Sequence, residues 1–99
     1  MKIRILDLAE RDLQVGFHFY EAQQAGIGDF FLDSTYSEID SLLLYAGIHR
    51  KIFGYHRQLC RRFPFAIYYK LEGEEIFVWR VLDLRRDPIW IQKQIRSKG

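Results

Sequence analysis

The stretch from Arg61 to Pro88, RRFPFAIYYKLEGEEIFVWRVLDLRRDP, constrains the fold more than any other part of this chain. Two runs of aromatic and β-branched residues flank Glu72-Gly73-Glu74, which predicts a β-hairpin closed by a tight turn. In the first run Phe65, Ile67, Tyr69 and Leu71 alternate with Ala66, Tyr68, Lys70 and Glu72. One face of that strand is therefore apolar and the other amphipathic. The second run, Ile76 to Leu84, is apolar at almost every position, the pattern of a central strand covered on both faces. Arg61-Arg62 precedes the hairpin and Arg85-Arg86 follows it, so antiparallel pairing brings both pairs to one end of the sheet. Four guanidinium groups gathered there would form an anion-binding rim.

Ninety-nine residues suffice for one core and predict a single domain, 1–99. No apolar run approaches the length of a membrane span, and the N-terminus lacks a signal peptide's apolar core, so no membrane partner is expected. One cysteine, Cys60, excludes an intrachain disulfide and fits a reducing cytoplasm. The net charge of +2 hides a polarised chain. Residues 1–49 hold three Lys/Arg against eight Asp/Glu, whereas residues 50–99 hold twelve against five. The basic half suits an anionic partner, either nucleic acid or an acidic peptide; the alternative is a solvated basic surface.

Taken in order, Met1 to Leu6 alternates as a short strand. Asp7 reads as an N-cap with Glu10 at the capping-box position, so a helix begins near Leu8. Leu13, Phe17, Tyr20 and Gln24 fall at helical spacing, with Glu10, Arg11, Asp12 and Glu21 toward solvent. Gly26-Ile27-Gly28 turns the chain into a second helix, from about Asp29 to Tyr45. Its expected stripe is Leu32, Tyr36, Ile39, Leu43 and Ala46, widened by Phe31, Thr35 and Leu42. The two helices form an antiparallel hairpin that covers one face of the sheet. Gly47 ends the second helix, and Ile48 to His56 reads as loop with room for a short strand. Arg57 to Phe63 reads as a strand ending at Pro64. After the hairpin, Asp87-Pro88 opens a terminal helix over Ile89 to Lys98 whose basic end frays. The expected class is α+β: an N-terminal strand, a helical hairpin on a mainly antiparallel sheet of four or five strands, and a short C-terminal helix.

This order, with Arg61-Arg62-Phe63-Pro64, Ile67-Tyr68-Tyr69 before Glu72-Gly73, and Arg86-Asp87-Pro88, resembles the RelE/ParE superfamily of toxins from type II toxin–antitoxin modules. The resemblance covers nearly the whole chain. It implies a small cytoplasmic growth inhibitor, without a cofactor, neutralised by a cognate antitoxin that wraps along its sheet and helices. Sequence-specific DNA binding by the toxin alone is not expected. Two activities occur in the superfamily. RelE-like members cut messenger RNA on the ribosome without a metal, using cationic side chains and a general acid–base pair. ParE-like members instead poison DNA gyrase. Here Arg57 and Arg85 lie near basic catalytic positions of the nucleases, but Ala66 stands where arginine is expected and Asp83 where many members carry histidine. Trp90 follows where the nucleases place a tyrosine or histidine. A carboxylate beside a scissile phosphate adds like-charge repulsion, so Asp83 fits better as the partner of Arg80, Arg85 or Arg86. These departures favour a ParE-like, non-enzymatic toxin with DNA gyrase as target. The alternatives are a ribosome-dependent endoribonuclease using Arg57, Arg61, Arg85 and His56 or Asp83, and a non-toxic remnant that retains only antitoxin binding.

On either toxic reading the expected target-binding residues are Arg61, Arg62, Tyr68, Arg85 and Arg86, Tyr68 being the exposed member of the Tyr68-Tyr69 pair. The competing reading of the arginines is an internal network in which Asp83 and Asp87 fix the strand ends, and Asp87-Pro88 reads as a turn or cap. His18, His49 and His56 lack metal-ligand spacing, so no metal is expected, and only His56 is an acid–base candidate. Cys60 reads as a small buried thiol, Trp79 as core and Trp90 as packing on the sheet's edge.

Overall fold

The structure is a computed structural model and describes residues 1–97. Its elements run β1 (Lys2–Ile5), α1 (Asp7–Gln23), α2 (Ile27–Asp40), α3 (Leu42–Tyr45), β2 (Lys51–Ile52), β3 (Tyr55–Leu59), β4 (Phe65–Glu72), β5 (Glu75–Asp83) and α4 (Pro88–Arg96). The five strands form one sheet in the order β1-β5-β4-β3-β2. β1 lies parallel to β5 and every other pair is antiparallel. This is the expected α+β class. Lys98, the expected end of the last helix, lies outside the described residues.

The β4–β5 hairpin behaves as its sequence dictates. Glu72 pairs with Glu75 around a two-residue loop, and Gly73 takes φ +59°, which a side chain would oppose. The two faces of β4 separate into two cores. Phe65, Ile67 and Tyr69 pack with Leu13, Tyr20, Phe31 and Ile39 of the helical hairpin. Ala66 and Tyr68 pack with Leu82 and with Ile91 and Ile95 of α4. The sheet is thus covered on both sides, and each large side chain fully withdrawn from water contributes about 1.5–3 kcal/mol.

Several local expectations shift. Asp7 lies inside α1 rather than capping it, and the Glu10 N–H finds its acceptor in the Leu6 carbonyl. α2 begins at Ile27 and breaks at Ser41, whose hydroxyl donates to the Glu38 carbonyl. The buried set there is Phe31, Thr35, Ile39 and Leu42, while Tyr36 and Leu43 are exposed. The helix is therefore rolled so that the expected flank of Phe31, Thr35 and Leu42 is buried with Ile39 of the expected stripe, while Tyr36 and Leu43 turn outward. The strand expected at Arg57–Phe63 runs instead over Tyr55–Leu59, leaving Arg61 and Arg62 in the loop before β4.

A β-bulge decides much of the rest. Tyr68 faces Arg80 but Tyr69 faces Val78, so Trp79 has no partner across the ladder. The bulge breaks the two-residue alternation of β5, and the consecutive Trp79 and Arg80 both reach α4. Trp79 Nε1 donates to the Ile95 carbonyl at 2.7 Å, and Arg80 Nη1 donates to the Gln94 carbonyl at 2.9 Å. Both carbonyls belong to the last turn of α4, which lacks intrahelical donors and favours a nearby cation. At the other end of α4, Asp87 Oδ1 accepts from the Ile89 N–H with Pro88 at the first turn. The cap expected from Asp87-Pro88 is borne out.

Candidate functional site

Arg61, Arg62, Arg85 and Arg86 all stand at the end of the sheet where Phe65 pairs with Asp83, and all four are exposed. Each has a different support. Phe63 packs on Tyr20, Phe30 and Phe31 with ring centroids 4.7–5.6 Å apart, an aromatic wedge at the same end of the sheet. Arg62 lies over Phe30 at 5.6 Å and Arg85 over Phe19 at 5.6 Å, so each cation rests on the wedge or its flank. Arg61 is positioned through its backbone, whose N–H donates to Glu38 Oε2 at 2.9 Å. Arg86 stacks on Trp90 at 3.8 Å.

Of the four, Arg85 has an internal carboxylate partner. Its Nε and Nη2 donate to Asp83 Oδ1 and Oδ2 at 3.0 and 2.7 Å, and Nη2 also donates to the Tyr20 hydroxyl at 3.3 Å. Burial alone would raise the Asp83 pKa, but the Arg85 hydrogen bonds and charge outweigh it and hold the carboxyl below its usual range. Asp83 is thereby a clamp on Arg85. Asp87 takes no part, because it caps α4.

The nuclease candidates are dispersed. His56 faces the helical hairpin, stacked on Tyr69 with centroids 5.0 Å apart, and its Nδ1 bonds the His49 carbonyl at 2.6 Å. Arg57, the next residue along β3, points to the opposite face, beside Tyr68. Asp83 is level with Phe65, whereas His56 is level with Tyr69. Four residues along a strand amount to roughly 13 Å, and a full strand lies between them.

Tyr68 requires a correction. It is 1 % exposed, covered by α4, and cannot present its ring to a partner. Burial raises its hydroxyl pKa and the adjacent Arg57 opposes that shift. Strand alternation correctly placed Tyr68 and Tyr69 on opposite faces, but α4 packs onto the second face, so both are core. His49, held below its usual pKa by burial and by His56, bonds the Tyr69 hydroxyl through Nδ1. Cys60, on the loop beyond β3, is pushed up to about 12 by burial and by Glu38, which leaves it a thiol.

One buried polar pair departs from the sequence reading, which offered Arg80 to Asp83 and gave Asp12 to solvent. Arg80 is 5 % exposed, and all five of its N–H donors are engaged. Nε and Nη2 fork onto Asp12 at 2.7 and 2.8 Å, and the remaining donors reach the Gln94 carbonyl, Gln94 Oε1 and Ser97 Oγ. Asp12 Oδ2 also accepts the Val81 N–H at 3.0 Å, so Asp12 faces the sheet rather than solvent. Neither residue's neighbours in sequence signal the pairing, which joins positions 68 apart.

Among the described residues no group of three or more His, Cys, Asp or Glu side chains is placed to hold a metal, and no helix is long and apolar enough to cross a membrane. The architecture is that of a small α+β domain. More particularly, the chain is similar to a solved chain from the chromosomal ParDE TA system of P. aeruginosa, with a TM-score of 0.75 at 20 % identity over 82 % of this chain and 92 % of that one. No family model and no curated protein matches the sequence. At this identity the likeness establishes the fold, which is the one expected from the RelE/ParE resemblance.

Proposed function

We propose that this chain is the toxin of a toxin–antitoxin pair and inhibits growth by binding DNA gyrase, with a cognate antitoxin as its partner and the cytoplasm as its site of action. The fold shared with a chain of a ParDE system supports the first part. The dispersal of Arg57, His56 and Asp83 supports the second. Phosphodiester cleavage needs an acid, a base and cationic stabilisers within hydrogen-bond reach of one phosphate. Here the acid–base candidate His56 lies on the helix-covered face, Arg57 lies on the other, and Asp83 is spent on Arg85. What remains accessible is a surface: Arg61, Arg62, Arg85 and Arg86 spread around exposed aromatic rings, suited to docking an acidic protein face.

Induction of the chain alone in bacterial cells tests this, with DNA breakage and message cleavage assayed side by side. Breaks without phased cleavage are expected. The R61A/R85A variant should remain folded, since both side chains are exposed, and should inhibit growth less. Cleavage phased to the ribosomal A site, or normal growth on induction, would overturn the reading.

A further inference from the structure

α3 buries one of its residues and leaves the other three outside. Leu42 is fully enclosed, whereas Leu43 and Tyr45 are half exposed and Leu44 is 79 % exposed. Ile48, in the turn that follows, is 74 % exposed. Leu43, expected in the core stripe, is thus part of the densest run of large apolar side chains left in water among the described residues. Single exposed apolar residues are ordinary, but a contiguous group marks an interaction surface. The run is anchored at its end. The Gly47 N–H donates to the Tyr69 hydroxyl at 2.9 Å, and a Cβ on Gly47 would meet Leu71 Cδ1 at 3.1 Å. Beside the run opens a cleft of about 420 Å³ whose walls include Tyr45, Ile48 and Leu59, and Leu59 is itself exposed.

The charge around this patch is two-sided. Asp40 precedes the apolar run, and Arg50 and Lys51 follow it. All three are exposed, and none makes a salt bridge among the described residues. An anionic lipid surface would suit the basic end and be repelled by Asp40. A second copy of the chain suits both ends. Asp40 and Arg50 each stand five positions from Tyr45. A two-fold axis passing near Tyr45 therefore brings Asp40 of each copy to Arg50 and Lys51 of the other, the reciprocity that a symmetric interface requires. We infer that the α3 patch is the interface of a two-fold homodimer of this chain. Leu43, Leu44, Tyr45 and Ile48 of the two copies pack across the axis, Leu44 of each enters the cleft of the other, and the Asp40 pairs close the margins. Four apolar anchors are few against the roughly 20–30 residues a side of a standard interface, so the dimer is a weak one. Leu71, beneath Gly47, lies six residues along β4 from Phe65, roughly 20 Å, so the dimer displays two arginine rims away from its axis.

Sedimentation of the purified chain over a range of concentrations tests this. The apparent mass should rise from monomer toward dimer. Leu44 is exposed, so L44K should fold, and it should raise the dimer dissociation constant at least about tenfold. The charges give a second reading. D40K makes both ends of the patch basic, and R50E/K51E makes both acidic. Each variant alone should dimerise about threefold to tenfold more weakly, as expected for exposed ion pairs. Mixed in equal amounts, the two should recover association as a heterodimer. The inference fails if the unsubstituted chain stays monomeric into the millimolar range, if L44K dimerises as well as the unsubstituted chain, or if mixing the charge variants restores nothing. A monomer that instead floats with phosphatidylglycerol vesicles overturns it in favour of a lipid surface. Because association is read on the isolated chain, this inference stands or falls independently of toxicity.

Discussion

Asp12→Ala should be among the most damaging substitutions of any hydrophilic side chain in this protein. It removes both carboxylate contacts of Arg80, leaving a guanidinium that is 5 % exposed without its counter-ion, and it orphans the Val81 N–H. Removing one partner of a buried ion pair costs roughly 3–5 kcal/mol. The lower end applies here, since the Asp12 side chain keeps 12 % of its surface and water can enter beside it. A loss of about 3 kcal/mol is a large part of the roughly 5–15 kcal/mol that holds a typical domain. With a urea slope of about 1.5 kcal/mol/M the unfolding midpoint should fall by roughly 2 M. The melting temperature should fall by roughly 12–24 °C. Trp79 and Trp90 report the transition by fluorescence, and Trp79 also reports whether α4 detaches first, because it bonds the Ile95 carbonyl. The double replacement Asp12→Leu with Arg80→Met should recover most of the loss, because an apolar pair leaves no buried charge. A single-mutant loss below about 1 kcal/mol would refute the reasoning, since that is the range of a solvated surface pair.

Two further outcomes follow from buried groups. Tyr68→Ala should cost about 3–5 kcal/mol in urea unfolding, as a large-to-small change in a closed core does, whereas Tyr68→Phe should leave growth inhibition intact; a Phe variant that is stable yet inactive would return Tyr68 to the binding surface. Burial and the neighbouring His56 hold His49 below the usual histidine value of about 6.5, so folding favours its neutral form. Its contribution is full above about pH 6.5 and is lost as pH falls through the lower folded value. His49→Gln should therefore flatten the decline in the urea midpoint between pH 7 and pH 5, and an unchanged slope would show that other groups set it.

The RelE/ParE resemblance rested on motifs inside one hairpin, and those motifs are local. Gly73 selects its turn, Asp87 and Pro88 cap and start α4, and the alternation from Phe65 to Leu71 separates two faces whatever packs on them. Each depends on residues a few positions apart, whose chemistry is fixed by backbone geometry alone. The arginine pairs were placed correctly at one end of the sheet for the same reason, since a hairpin's turn sets its register.

What packs on each face was not local. The second face of β4 could have been solvated or covered, and only the docking of Ile91 and Ile95 makes Tyr68 core rather than surface. The roll of α2, which buries Phe31 and Thr35 and exposes Tyr36, depends on where the sheet meets it, because a wide apolar stripe permits more than one orientation. The bulge at Trp79 turns Arg80 to the edge where β1 stops, and there it meets Asp12, a residue that helical periodicity alone assigns to water. Sequence patterns determined which elements form and how the residues of β4 divide between its two faces. Tertiary structure decided which charges are spent inside the molecule, because a charge's partner depends on distances that no local period encodes, and so it decided which arginines remain free to bind.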